Sequence, residues 1–353
     1  MLEWCPDGTR SVTDNTMRED IVSVETGVRL PQPTRDIEQG KRDLDEFGYC
    51  VHLDVLDAAQ IEALRDRLIE QARLEREQGV AWLGNGGRGG NTWIGGERGS
   101  VEAPWQGVRT LLNKGRVFVE LAMNPVILEY QRHLFRDADF YLSSSNGVIV
   151  RKGAVPMVVH TDQIHVPFET PIPVVSNVMV ALSEFREDMG ATRFLPGSHH
   201  MPPPSLALDF KQMDAYNPEP IEGMVTAECP PGAAIFFSGQ TWHSSGWSSS
   251  EDVRYSISTY FSLPFMRPQD AYIASLHDDV YAEMSDAERA MVGFKVNTVG
   301  RIDPRFPGDR SNVGMPNPYI PELRQGSGKR AVPAELESIP FAGALAPKVS
   351  DES

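Results

Sequence analysis

Between Phe140 and Phe261 the chain breaks into short apolar or alternating runs separated by turn residues: Phe140–Ser144, Gly147–Arg151, Val155–Thr161, Val174–Leu182, Ala191–Leu195, Met224–Ala227, Ala233–Phe237 and Arg254–Phe261. Runs of this length, rich in β-branched and aromatic residues and bounded by Gly, Pro, Asn and Ser, are strands of an antiparallel sandwich or barrel. Their number and length predict a double-stranded β-helix, or jelly roll, occupying about residues 140–265. The last run constrains the fold further. Alternation puts Arg254, Ser256, Ser258 and Tyr260 on one face and Tyr255, Ile257, Thr259 and Phe261 on the other. A polar row turned inward fits a barrel that houses a site.

The segments before this region are helical, giving a mainly β fold with N-terminal helices packed on it (α+β). Asp43–Leu56 reads as a short helix leading into a strand at Tyr49. Asp57 caps a helix whose apolar positions Ile61, Leu64, Leu68, Ala72 and Leu74 keep nearly helical spacing. Arg116–Met123 and Pro125–Leu134 are predicted helices, with Pro125 at a first helical position, and residues 285–294 are another, capped by Ser285. Residues 1–35 form an irregular arm, 36–300 the main domain, and 301–353 a tail rich in Pro and Gly.

Charge and cysteine usage narrow the class of protein. The formal net charge of −16 disfavours nucleic acid and anionic membranes as partners and leaves a small molecule as the expected one. Three cysteines, Cys5, Cys50 and Cys229, give no disulfide framework and suit a reducing, cytoplasmic location. No run of apolar residues is long enough to span a bilayer, which takes about 18 or more. Oligomeric state is left open, with a homodimer among the alternatives.

Four residues carry the chemistry. His160 and Asp162 stand in Val-Val-His-Thr-Asp-Gln, His243 follows in Gln-Thr-Trp-His-Ser-Ser, and Arg254 opens the last strand. In a strand, residues i and i+2 point the same way, so His160 and Asp162 can address one metal ion, and His243 can come from another strand. Two imidazoles and one carboxylate make the facial triad of non-haem Fe(II) oxygenases, which leaves three positions open. Arginine supplies a planar, permanently charged fork that suits a carboxylate. Any one histidine is more often structural than a ligand. His52, His133 and His277 are read that way, as are the adjacent His199 and His200, which a strand would point to opposite sides. Gln163 alternates away from the metal in an ideal strand, and His165 lies five residues beyond His160 with no ligand spacing. Both are kept as candidate substrate residues.

Gly84–Ser100 is glycine-rich and formally contains Gly-x-Gly-x-x-Gly, but Gly90-Asn91-Thr92-Trp93 does not open a helix, so the dinucleotide fingerprint fails. The expectation is a mobile loop acting as a lid, with Trp93 the side chain that moves inward over a substrate. Packing of its tryptophans against the core is the competing reading.

From about Asn113 to Phe261 the chain resembles the phytanoyl-CoA dioxygenase-like branch of the Fe(II)/2-oxoglutarate oxygenases. The resemblance rests on Leu-Leu-Asn-Lys-Gly at 111–115, His-Thr-Asp-Gln at 160–163, Gly-Ala-Thr-Arg-Phe-Leu-Pro-Gly-Ser-His at 190–199, and His243 followed by Arg254. It implies that His160, Asp162 and His243 hold iron and are the catalytic set, with 2-oxoglutarate and O2 as co-substrates. Arg254 then binds the far carboxylate of the keto acid, assisted by Ser245. For Asn113 it suggests a pocket-facing position, with a capping or surface role as the alternative, and Asn146, with Ser145, is placed to touch the near end of the keto acid. The resemblance departs from the family pattern at Met189-Gly190, where Asn-Gly is usual. It implies a hydroxylase or a related desaturating or rearranging enzyme. The alternatives are a metal-dependent cupin that does not use 2-oxoglutarate, which Arg254 disfavours, and a binding protein of the same fold, which the intact triad disfavours.

Overall fold

The computed structural model describes residues 30–85, the backbone of 92–94, and residues 103–166, 168–204 and 221–294. Most of the N-terminal arm, the tail from residue 301, and most of the glycine-rich stretch lie outside the described residues.

Helix α1 (Ile37–Phe47) starts earlier than its apolar pattern indicates, because Asp36 caps it by accepting from the Glu38 N–H. It ends at Gly48, whose φ of 80° is in the left-handed region. A Cβ at Gly48 would lie 2.4 Å from Thr241 Oγ1 and 2.6 Å from His199 Nδ1. The Gly48 carbonyl also accepts from the Thr241 hydroxyl and the Ser238 N–H, so this turn braces the loop that carries His243. Gly48→Val is therefore expected to lower the thermal midpoint by clash and by a left-handed backbone cost of about 1–2 kcal/mol. Unchanged melting would show that the turn relaxes freely.

Helix α2 (Ala58–Glu77) opens with a reciprocal capping box between Asp57 and Gln60 and buries Leu64, Leu68 and Ala72. Leu68 lies over Gly147, where an added Cβ would sit 2.2 Å from a Leu68 methyl, so glycine lets the helix approach the sheet. Helix α3 (Arg116–Ala122) follows, and α4 (Pro125–Leu134) begins after Asn124, which accepts from the Val126 and Ile127 N–H groups. Three short helices follow, α5 (Tyr272–Ser275), α6 (Asp278–Glu283) and α7 (Asp286–Arg289), and a kinked helical segment, Ala290–Phe294, ends the described chain. Helix α7 has a Ser285–Glu288 capping box.

The strands are β1 (Tyr49–His52), β2 (Trp82–Gly84), β3 (Thr92–Ile94), β4 (Trp105–Val108), β5 (Tyr141–Val150), β6 (Val175–Ala181), β7 (Thr192–Phe194), β8 (Val225–Thr226), β9 (Ala234–Ser238), β10 (His243–Ser245) and β11 (Arg254–Ser262). They form an eight-stranded antiparallel sheet, order β1-β9-β6-β11-β5-β4-β2-β3, and a three-stranded sheet, order β10-β7-β8. The architecture is the expected jelly roll with N-terminal helices. An apolar cluster including Tyr49, Phe185, Phe194, Ile235 and Phe237 fills part of the space between the sheets.

The strand reading needs three corrections. Phe140–Ser144 and Gly147–Arg151 are one strand, because Ser145 and Asn146 stay in register against Thr259 and Ser258. Their polar side chains look like a turn, yet their backbone is part of the ladder. Val155–Thr161 is not a ladder strand. The Val155 N–H donates to the Asn85 carbonyl and the Met157 N–H to Ser245 Oγ, so Val155 and His160 make isolated bridges and the residues between them join no ladder. Within the expected glycine-rich loop, Gly84–Ser100, Gly84 ends the strand Trp82–Gly84 and Thr92–Ile94 pairs with it, which extends the large sheet.

Candidate metal centre

The site begins with a backbone pairing. His160 and His243 lie directly opposite each other, each N–H donating to the other's carbonyl at 3.0 and 2.9 Å. Opposed residues of an antiparallel pair share a face. Their imidazole centroids accordingly lie 4.3 Å apart. His160 Nδ1 bonds the Val158 carbonyl at 2.8 Å and His243 Nδ1 bonds the Thr241 carbonyl at 2.9 Å. A carbonyl only accepts, so both Nδ1 atoms carry the proton and both Nε2 lone pairs are free for a metal. Burial, followed by the neighbouring His243, pushes the His160 pKa well down, which keeps that imidazole in its ligating neutral form.

Asp162 arrives by a different geometry from the one expected. Thr161 is extended, with φ −113° and ψ 145°, but Asp162 itself opens a 3-10 turn, Asp162–His165. The same-side rule for i and i+2 therefore operates through Thr161 alone. Asp162 Oδ1 lies 3.8 Å from His160 Nε2 and 3.6 Å from His243 Nε2. One donor atom from each residue falls within 4.8 Å of the other two, a grouping found nowhere else among the described residues. Two imidazole nitrogens and one carboxylate oxygen fit Fe(II) with open positions.

The large sheet faces this group with the polar row read from alternation. Tyr260 Oη donates to the Asp162 carbonyl at 2.8 Å, and Ser258 Oγ donates to Asn177 Oδ1 at 3.0 Å. Asn177 Nδ2 donates to Asp162 Oδ2 at 3.2 Å. Arg254 heads the same row and is 3 % exposed, yet its Nε and Nη1 have no hydrogen-bond partner and no described carboxylate pairs with it. The guanidinium packs over the Phe185 ring, 4.8 Å from its centroid. Burial lowers its pKa to about 10, so it remains a cation at neutral pH. A buried cation with idle donors is built to receive an anion. This orphaned fork fits the far carboxylate of a keto acid.

The remaining sequence candidates fall in different places. Ser245 lies two residues past His243 in β10, hence on the same face, and its Oγ accepts from the Met157 N–H at 2.9 Å. Its hydroxyl proton stays available to a ligand. Asn146 pairs with Ser258 and shares its inward face, and its Oδ1 is buried without a partner. Ser145, one residue earlier, alternates to the opposite face.

Asn113 does not match its expected pocket-facing role. Its amide donates to the Ser275 carbonyl and accepts from the His277 N–H, tying down α5. Gln163 bonds away from the metal group, but it does so within the 3-10 turn and not through strand alternation. It donates to Thr170 Oγ1 and accepts from the Val174 N–H, which closes the loop after the 3-10 turn. His165 is exposed and lines, with Thr161, Gln163 and His199, a groove of about 860 Å³. None of His160, Asp162 and His243 lines that groove. The side chain of Trp93 lies outside the described residues; its backbone pairs with Leu83.

Other histidines are structural, as read: His52 Nδ1 meets Tyr130 Oη at 2.9 Å and His133 Nε2 meets Asp45 at 3.0 Å. His199 and His200 sit in a 3-10 turn that follows Pro196-Gly197, with ring centroids 3.8 Å apart and the rings tilted by 39°.

The sequence matches the phytanoyl-CoA dioxygenase (PhyH) family over residues 44–256, more than half of the chain. The chain belongs to the PhyH family. The match reaches back through α2 to the last turn of α1, further than the motifs alone indicate. It is an Fe(II)- and 2-oxoglutarate-dependent dioxygenase. An uncharacterised protein of Mycobacterium tuberculosis is 27% identical over 277 residues, covering 76% of this chain and 90% of that one. Dioxygenase af480 of Aspergillus fumigatus is 28% identical over 175 residues, covering 47% of this chain and 51% of its own length. Among solved structures, the non-heme alpha ketoglutarate dependent carbocyclase SnoK from nogalamycin biosynthesis superposes with a TM-score of 0.51 at 20% identity. That alignment covers 68% of this chain and 90% of SnoK, which supports the fold. Among the described residues, no helix is long and apolar enough to cross a membrane.

Proposed function

We propose that this PhyH protein hydroxylates, or desaturates or rearranges, a small organic molecule in specialised metabolism, with release of succinate and CO2. The observation that carries the reading is Arg254: a buried guanidinium without a partner, on the sheet face that also addresses the metal-binding carboxylate. When bound, the iron and keto acid supply the oxidising chemistry with O2. The protein supplies binding, orientation and dryness.

His160, Asp162 and His243 hold the metal, each steadied by a hydrogen bond from its far side. Arg254 and Ser245 take the far carboxylate of the keto acid, and Asn146 offers its free amide oxygen near the other end. Retention of Asp162 favours oxygenation over halogenation, since replacing this carboxylate by alanine or glycine is what frees a metal position for halide. Relatives with the word dioxygenase in their names, and SnoK's role in nogalamycin biosynthesis, support a natural product as substrate.

The test is succinate release from 2-oxoglutarate by Fe(II)-loaded protein across a panel of terpenoid, polyketide, amino-acid and acyl-thioester candidates. Substrate-stimulated succinate formation with matching oxidised product is the expected result. Absence of keto-acid binding together with oxidation of a panel member would favour the cupin reading.

A further inference from the structure

We propose that Asn177 is a positioning residue that keeps Asp162 attached to the metal through one oxygen only, so that three metal positions stay open. The inference rests on the proposed use of 2-oxoglutarate, since two of those positions are the ones a chelating keto acid occupies and the third is for O2. Asp162 Oδ1 is the oxygen turned toward both histidines, while Oδ2 accepts from Asn177 Nδ2 at 3.2 Å. A carboxylate whose second oxygen is free can rotate to chelate an ion through both. A donor fixed on Oδ2 opposes that rotation.

The orientation of the Asn177 amide follows from its neighbours. Turned over, it would present its oxygen to a carboxylate oxygen, two acceptors face to face. The nitrogen must therefore face Asp162 and the oxygen must face Ser258, whose hydroxyl donates to it at 3.0 Å. Asn177 is 8 % exposed, so water competes poorly for either bond. Strand register supports the arrangement. Asn177 of β6 lies directly opposite Tyr260 of β11, Ser258 is two residues along, and all three share the inward face. Tyr260 meanwhile pins the Asp162 backbone carbonyl at 2.8 Å, so the main chain is held and only the carboxylate torsion is left for Asn177 to fix. In the sequence, the signal is one polar amide in the apolar run Val174–Leu182.

The experiment compares full-length wild type, Asn177→Leu and Ser258→Ala. Fe(II) affinity is measured by competition with a chromophoric chelator. Affinity for 2-oxoglutarate is measured anaerobically on the Fe(II)-loaded protein from its visible charge-transfer band. Asn177→Leu keeps the volume and removes the donor. It is expected to leave Fe(II) affinity within about threefold of wild type while weakening 2-oxoglutarate by roughly 10–100-fold. Ser258→Ala, a minor truncation, should weaken the keto acid in the same direction by less. The split matters because a merely structural role would lower both affinities together. Equal keto-acid affinity in wild type and both variants overturns the inference, as does a loss of Fe(II) that parallels the loss of keto acid. Failure of the wild type itself to bind 2-oxoglutarate would instead sink the proposed function.

Discussion

His160→Ala, Asp162→Ala and His243→Ala are each expected to abolish turnover and to weaken Fe(II) by more than the roughly 100-fold upper range for changes to residues that only hydrogen-bond a metal ligand. Two ligands hold a labile divalent ion poorly, and here the missing third cannot be replaced by a neighbouring donor. Among the described residues no other His, Cys, Asp or Glu joins this group. His165, the nearest histidine along the chain, is exposed and lines the separate groove. The fold should survive all three changes. His160 and His243 are joined through their backbones, which alanine retains, and Asp162 stays pinned by Tyr260 through its main-chain carbonyl. Metal content after reconstitution, circular dichroism and single-turnover succinate formation measure the three parts separately. Full activity in any reconstituted variant would remove that residue from the site.

The legible part of the site was the part written in local pattern. Alternation in Arg254–Phe261 identified the inward row, and two of its members, Ser258 and Tyr260, reach the neighbourhood of Asp162. The histidine–aspartate spacing was informative, although the geometry behind it is an extended residue followed by a turn. What pattern cannot report is pairing between distant segments. Strand β10 is three residues long, with no apolar period, and exists because His243 pairs with His160 and with Phe194. Asn177 met Asp162 only once β6 and β11 were placed in register. Asn113 was misplaced for the complementary reason. Its polar character in an apolar stretch is real, but the groups it satisfies are backbone atoms at Ser275 and His277, more than 150 residues away. A polar residue in an apolar run signals a buried hydrogen bond without telling whether its partner is a ligand or the protein's own chain.

Arg254→Met should separate keto-acid binding from stability in opposite directions. The wild-type guanidinium is buried with two idle donors, a desolvation cost that the Phe185 ring face offsets only in part. Methionine fills similar volume without charge and packs on Phe185 and the apolar cluster beside it, so the ligand-free variant is expected to melt no lower than wild type. Binding should change in the other sense. Truncating one partner of a buried charge pair typically costs about 2–5 kcal/mol, so the charge-transfer titration with 2-oxoglutarate should shift by roughly 30-fold or more at unchanged Fe(II) affinity. Saturating keto acid should then raise the wild-type melting temperature and leave that of the variant almost unmoved. Arg254→Lys tests geometry within the same scheme. A lysine keeps the charge but loses the planar fork, and is expected to fall between the two. A variant that is destabilised without ligand yet titrates like wild type would make Arg254 a structural cation and point to another clamp. Raised stability with lost affinity would mark it as a residue retained for the carboxylate it binds.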